Sequence, residues 1–242
     1  MDEKLNTSPT LNPRSELSIR TFLRAAAYLL LPPILLFGGA GTLNWPIGWA
    51  YLILTVGGVV LSRILVARVH PDLMAERAKS MESKDVPGWD RKLAPIISTW
   101  VPMTLMLVAG LDKRFGWTQP GSLRMLIAGT LLIAAAIVLA TWAMVTNRYF
   151  SAFVRLQSDR GHRVVESGPY AVIRHPGYAA GILTNLGAPL MLGALWAFLP
   201  AILGIIVILW RTTLEDRFLH AKLAGYPDYS SRVRWRILPF IW

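Results

Sequence analysis

The chain has 242 residues, of which 54% are hydrophobic and 16% charged, and it carries a formal net charge of +11 without a single cysteine. A soluble domain carries about a quarter charged residues, so this composition belongs to a protein that meets lipid rather than water. The missing cysteines exclude disulfides, thiolate zinc sites, iron–sulfur clusters and a cysteine nucleophile. In such a chain a basic excess is expected in cytoplasmic loops beside anionic lipid, not in a nucleic-acid site.

Met1 to about Ser18 is polar, with Pro9 and Pro13, and is expected to be mobile or to lie on the membrane surface. Phe22–Leu43 is the first predicted span, about the ~20 residues that a bilayer core requires. It has no small-residue cleavage site and is read as a retained helix. Pro32 and Pro33 predict a kink in it. Pro46–Val66 is the second span, after a tight turn at Asn44–Trp45, and a mixed-charge loop follows over 67–92. Leu93–Leu111 is the third span, with Pro95 and Pro102 inside it. Leu123–Thr146 is the fourth, long and free of Pro. A polar and aromatic loop runs from Asn147 to Arg174. Pro176–Leu192 is a fifth, marginal helix of about 25 Å at ~1.5 Å per residue. A turn at Gly193–Ala194 joins it to Leu195–Arg211, the sixth, so these two form a hairpin. The tail from Leu214 to Trp242 is amphipathic and basic.

Orientation follows from the basic residues. Of the 25 Lys and Arg, 21 fall in or beside the N-terminus, the 67–92 loop, the 147–174 loop and the C-terminal tail. The positive-inside rule puts all four, and both termini, in the cytoplasm, and it favours an even number of spans. Trp45, Trp49, Trp100, Trp117, Trp196 and Trp210 fall mostly near span ends, as an aromatic belt does. The expected architecture is an all-α, polytopic transmembrane helical bundle of about six spans. Residues 1–146 form the tail and first four helices, and residues 147–242 a C-terminal region with a helical hairpin and cytoplasmic tail.

The polar residues after Asn147 are too concentrated to be ordinary connectors. Pro176 biases His175 away from helical geometry and is itself favoured at the first helical position. His175 is therefore expected at the cap of the fifth helix with Arg174 just outside. A helix N-terminus there offers N–H groups and partial positive charge to an anion. Gly168 and Gly177 permit close backbone approach. Arg211 and Glu215 are four apart and share a helix face. The hairpin brings His175 and Glu215 to the same side as neighbours. Singly, each residue reads as an anchor or an interfacial ion pair. Together they read as a cytoplasm-facing small-molecule site. The four His, at 70, 162, 175 and 220, have no paired metal-ligand spacing.

Gly168-Pro169-Tyr170, then Arg174-His175-Pro176-x-Tyr178, the acidic pair Glu215–Asp216, Tyr226-x-x-Tyr229 and Arg232-Val233 together resemble the isoprenylcysteine carboxyl methyltransferase and phospholipid methyltransferase superfamily of integral membrane enzymes. Asn147-Arg148-Tyr149-Phe150-Ser151 and Gly161-His162 resemble its prokaryotic members. The resemblance covers Asn147 to Trp242, and its RHPxY element is the specific part. It implies S-adenosylmethionine as cofactor, bound on the cytoplasmic side, and a lipid-like acceptor entering from the bilayer. It makes Tyr170, His175, Pro176, Gly177, Tyr178 and Glu215 cofactor contacts and puts Arg211 and Glu215 close to the methyl-transfer centre; the cofactor's chemistry adds Arg174 for its methionine carboxylate and Asp216, with Glu215, for its ribose hydroxyls and ammonium. The family often has two glutamates where this chain has Glu215 and then Asp216. The implied activity is carboxyl methylation of an isoprenylcysteine-like acceptor, with phospholipid amines and small thiols as other acceptors. A sterol-reductase-type enzyme using NADPH would carry Asn after the Pro of RHP, where this chain has Gly177. A transporter or scaffold would carry ionisable residues at mid-bilayer, which the predicted spans nearly lack.

Overall fold

The computed structural model describes residues 30–73, 76–77, 85–119 and 121–242. The polar tail and the start of the first predicted span lie outside these residues. Among the described residues the long elements are helices and there is no strand: α1 (Leu30–Ala40), α2 (Pro46–Val69), α3 (Gly88–Phe115), α4 (Leu123–Thr146), α5 (Pro176–Leu192), α6 (Leu195–Lys222) and α7 (Tyr226–Arg232). Four of them, α2, α3, α4 and α6, are long and apolar enough to cross a membrane. Six spans were expected. Within the described residues α1 is short, and α5, a continuous helix of 17 residues, carries Thr184, Asn185 and Pro189 within its apolar run.

The helix ends follow from local chemistry. Ser122 caps α4 by accepting the Met125 N–H at 3.3 Å. Pro176 begins α5, and Gly193 ends it in the left-handed region at φ 65°, a conformation that Gly adopts without a side-chain clash. The predicted ends of α4 and α5 are the observed ones. α3 has a π-helical stretch, Ile96–Trp100, between Pro95 and Pro102. A Pro ring displaces the carbonyl four residues before it, and a wider turn absorbs that displacement. α6 extends the expectation. The sixth span was expected to end at Arg211, and the helix that carries it runs on past Glu215 to Lys222. No Gly or Pro interrupts residues 211–222, and the Thr212 and Thr213 hydroxyls bond back to Ile208 and Leu209 carbonyls at 2.7 and 3.0 Å.

In lipid, apolar burial does little to hold helices together, and close packing at small residues takes its place. A β-carbon on Gly129 of α4 would lie 2.3 Å from Met191 N and 2.6 Å from Gly187 O of α5. One on Gly110 of α3 would lie 2.4 Å from Leu36 O of α1. The two backbone pairs are thus in direct contact. Around them Leu36, Phe37, Tyr51, Leu105, Ile133 and Met191 form one buried cluster. At the end of the bundle where α3 gives way to α4, Asp112 is 2% exposed and accepts from Thr118 N and Thr118 Oγ1, each at 2.7 Å. It also accepts from Trp196 N at 3.3 Å, which ties the foot of α6 to α3.

Gly129→Ala and Gly110→Ala are expected to destabilise the bundle by about 1–3 kcal/mol each, the usual cost of overpacking. Gly38→Ala, where a β-carbon meets nothing within 4 Å, is expected to leave stability unchanged or raised. Thermal unfolding in detergent checks this; equal melting temperatures for all three variants would contradict the close packing.

Candidate functional site

Pro176 places His175 at the N-cap of α5 (φ −128°, ψ 63°), as expected. The N–H groups of Arg174 and His175 do not face solvent. They donate to the Trp235 and Arg236 carbonyls at 2.9 and 2.8 Å. Residues 233–242 thereby form a strap laid across the start of α5.

The strap is held by Asp216 of α6. Its carboxylate takes Arg174 in two parallel bonds, Nε to Oδ1 at 2.8 Å and Nη2 to Oδ2 at 2.9 Å. It also accepts from Tyr226 Oη at 2.8 Å and Arg236 Nε at 2.9 Å, and His175 Nε2 lies 3.2 Å away. Arg174 Nη1 closes the knot by donating to the Val233 and Arg234 carbonyls at 2.8 and 2.9 Å. Burial opposes the charge on Arg174, and the Asp216 carboxylate overrides it, so the guanidinium pKa is raised. Burial first, and then Asp216, push the Tyr226 hydroxyl well above the ordinary phenol range, so it remains a donor. Four of the five Arg174 N–H groups are taken by the protein itself, so Arg174 offers a methionine carboxylate at most one donor.

Glu215 looks elsewhere. Successive residues on a helix point about 100° apart, so Asp216 meets the strap while Glu215 meets α5, where it accepts a hydrogen bond from the Tyr178 hydroxyl. The expected neighbourhood of His175 and Glu215 therefore appears as two contacts, His175 with Asp216 and Tyr178 with Glu215. The His175 and Tyr178 rings are 5.7 Å apart. Arg211 lies over the Tyr178 ring, with its guanidinium carbon 5.4 Å from the centroid.

Arg211 brings in a residue that sequence reasoning missed. Its Nε donates to Asp90 Oδ1 at 2.6 Å, and its Nη2 to Asp90 Oδ2 at 3.2 Å and the Ala152 carbonyl at 3.0 Å. Asp90 is fully buried in the first turn of α3, and its Oδ2 also accepts from Val154 N at 2.6 Å. Its only sequence signal was an acid just before an apolar run, inside a loop read as surface charge. The Ser151 hydroxyl, one residue from Ala152, is buried with no hydrogen-bond partner.

The other expected residues are structural neighbours of this centre. Tyr170 is buried in a 3₁₀ turn, Gly168–Ala171, and its carbonyl accepts from Tyr229 Oη at 2.7 Å. Pro176 is buried, and the space beside Gly177 holds the Phe150 ring, 2.9 Å from where a β-carbon would sit. At Gly168, with φ 57°, the neighbour is Thr146. The approaches that these glycines permit are made by the protein's own side chains. A cavity of about 310 Å³ opens beside Asp112, Ser122 and Gly193, at the opposite end of α5.

Residues 147–162 pack beside this centre. The Tyr149 and His162 rings pack against each other, tilted by 34°, with centroids 4.5 Å apart, and Arg155 bonds Glu76 at 2.9 Å. Burial, then Arg155 and Arg160, hold His162 down to a pKa of about 4 against an ordinary 6.5.

Residues 124–224 match the family described as phospholipid methyltransferase. Among curated proteins the chain is similar to protein-S-isoprenylcysteine O-methyltransferase B of Arabidopsis thaliana, 26% identical over 50% of this chain and 59% of that protein. It is 30% identical to the A protein of the same plant over 41% of this chain and 48% of that one. With protein-S-isoprenylcysteine O-methyltransferase of Mus musculus it shares 29% identity over 60% of this chain and 50% of the mouse protein. The chain spans about half the length of the curated relatives it matches.

Two outcomes test this geometry. Asp216→Asn leaves four cationic or polar partners, Arg174, His175, Tyr226 and Arg236, without their buried carboxylate, and losing one side of such a pair costs about 3–5 kcal/mol. A fall in melting temperature with earlier proteolysis after Val233 is expected; an unchanged strap would contradict the hub. For His162 the unfolded chain binds more protons than the folded one between pH 6.5 and about 4. Its contribution is therefore complete above pH 6.5 and declines as pH falls through that window. Hydrogen exchange over residues 147–164 is expected to quicken there, after correction for intrinsic rates, and the change to be smaller in His162→Gln.

Proposed function

We propose that the chain, which matches the phospholipid methyltransferase family over residues 124–224 and is similar to isoprenylcysteine O-methyltransferases, transfers a methyl group from S-adenosylmethionine to a lipid-like acceptor at the membrane interface. The observation that carries this reading is the meeting of Tyr178, Glu215, Arg211 and His175 at one end of the bundle, from the start of α5 and the far part of α6, the two arms of one hairpin.

The donor set suits that cofactor. Glu215 offers a carboxylate to ribose hydroxyls or to an ammonium group. The Tyr178 and His175 rings offer aromatic faces to a sulfonium. The unpartnered Ser151 hydroxyl is a buried polar atom for a ligand to satisfy. The backbone at Tyr170, Pro176 and Gly177 completes the expected wall. Arg174 and Asp216 enter the proposal as the pair that fixes the strap beside the cofactor. When bound, S-adenosylmethionine supplies an electrophilic methyl group.

The residues' work is then alignment and exclusion of water more than acid–base chemistry. A carboxylate acceptor needs no base. Arg211, fixed by Asp90 and Ala152 through Nε and Nη2, orients it through its Nη1 edge. An amine or thiol acceptor would first lose a proton, to Glu215 or His175. The names of the curated relatives favour the carboxylate of an isoprenylcysteine-like acceptor. The concentration of Lys and Arg at this end favours a cytoplasmic site.

Purified protein with labelled S-adenosylmethionine is expected to form a base-labile methyl ester on a farnesylated N-acetylcysteine. Glu215→Gln and His175→Ala are expected to weaken cofactor binding about 10- to 100-fold, as lost hydrogen bonds to charged groups do, with helix content unchanged. Transfer to an amine or thiol lipid without any ester would overturn the carboxyl acceptor. Unaltered cofactor affinity in both variants would overturn the site.

A further inference from the structure

We infer that residues 238–241, the apolar turn at the end of the strap, insert into the interfacial layer of the lipid bilayer. The turn is built. The Trp242 carbonyl accepts the N–H groups of Arg236, Ile237 and Leu238 at 2.9, 3.1 and 3.3 Å, and the Leu238 carbonyl accepts those of Ile241 and Trp242 at 3.2 and 3.1 Å. Five backbone bonds close it, and they hold Phe240 at φ 67°, the one non-glycine residue with positive φ among the described residues. A bulky residue in that region is strained. The result is an outward face on which Phe240 is 86% exposed, Ile241 75% and Leu238 46%.

The occupant of that face follows from depth. Ile237, the residue before the turn, is buried in a cluster with Ile173, Ala179 and Ile208. Ile208 lies ~18 Å along α6 from Trp196, and Asp216, which holds Arg236 of the strap, ~30 Å, at 1.5 Å per residue. With Trp196 near one membrane surface, Ile208 falls inside a ~30 Å hydrocarbon core and Asp216 at its far edge. The strap therefore meets the bundle level with the cytoplasmic edge of that core, and apolar side chains turned outward there face lipid. Exposed Trp210 and Ile206 on α6 make the same height apolar. Trp235 and Trp242 flank the turn, with the Arg236 guanidinium 5.1 Å from the Trp242 ring centroid, a pairing suited to the headgroup level. Arg232 and Arg234 precede it and suit anionic headgroups. The strap that holds Arg174 and His175 is in this way seated against the membrane at its far end. The inference rests on the helices crossing a bilayer and not on methyl transfer.

The chain has no cysteine, so single nitroxide labels can be placed on the 242-residue chain. Phe240→Cys and, separately, Ile241→Cys are labelled in nanodiscs of phosphatidylcholine and phosphatidylglycerol, with exposed Asp228→Cys on α7 as the aqueous reference. The expected result is a higher ratio of oxygen collisions to water-soluble nickel-chelate collisions at 240 and 241 than at 228. A ratio at both positions equal to that at 228 would overturn the inference. So would exclusion of both reagents, since a protein surface or a second copy would then cover the turn.

Discussion

Asp216 cannot be buried without company, and that constraint organises one whole end of the molecule. A carboxylate removed from water is costly unless its lone pairs are filled. Arg174, His175, Tyr226 and Arg236 fill them. Those four residues come from the loop before α5, the cap of α5, the start of α7 and the strap. Satisfying one charge therefore fixes the relative placement of four segments. Glu215, next in sequence and turned by a helical step, is left pointing at α5 and Tyr178. The hub thus sets the height and rotation of the residue proposed to touch cofactor.

A second buried carboxylate does the same across the halves of the chain. Asp90 holds Arg211 from α3, and the same oxygen that meets Arg211 Nη2 takes the Val154 N–H from the loop before α5. The first half of the chain thus reaches the candidate site through Asp90. At the opposite end Asp112 with Thr118 and Trp196 ties α3 to α6. Between these polar ties the helices are held by backbone contact at Gly129–Gly187 and Gly39–Gly110, the kind of contact that works where lipid already solvates apolar side chains.

What was legible in the sequence was what local chemistry decides. Leu123–Thr146 and Pro176–Leu192 were read to the residue because Ser122, Pro176 and Gly193 punctuate them. The cap position of His175 followed from Pro176 alone. The full extent of α6 was not legible because the change from apolar to charged composition at Arg211 marks the end of the span, whereas a helix ends where a breaker or cap ends it. The partner of Arg211 was not legible at all: Asp90 lies far away in sequence, inside a loop whose other charges made it look like surface. The His175–Glu215 contact resolved into two pairs because face assignment on a helix is finer than the side of a membrane. The RHPxY segment and the acidic pair gave the family, which the comparisons bear out, while their hydrogen bonds became visible only in the folded chain.

The central claim is that the Tyr178–Glu215–Arg211 centre takes an S-adenosyl cofactor, and calorimetric titration of detergent-purified protein with S-adenosylhomocysteine and, separately, NADPH addresses it without knowing the acceptor. Saturable binding of S-adenosylhomocysteine, with none of NADPH, is the result this account predicts. Binding of NADPH alone, or of neither in the presence of added phospholipid, would contradict it.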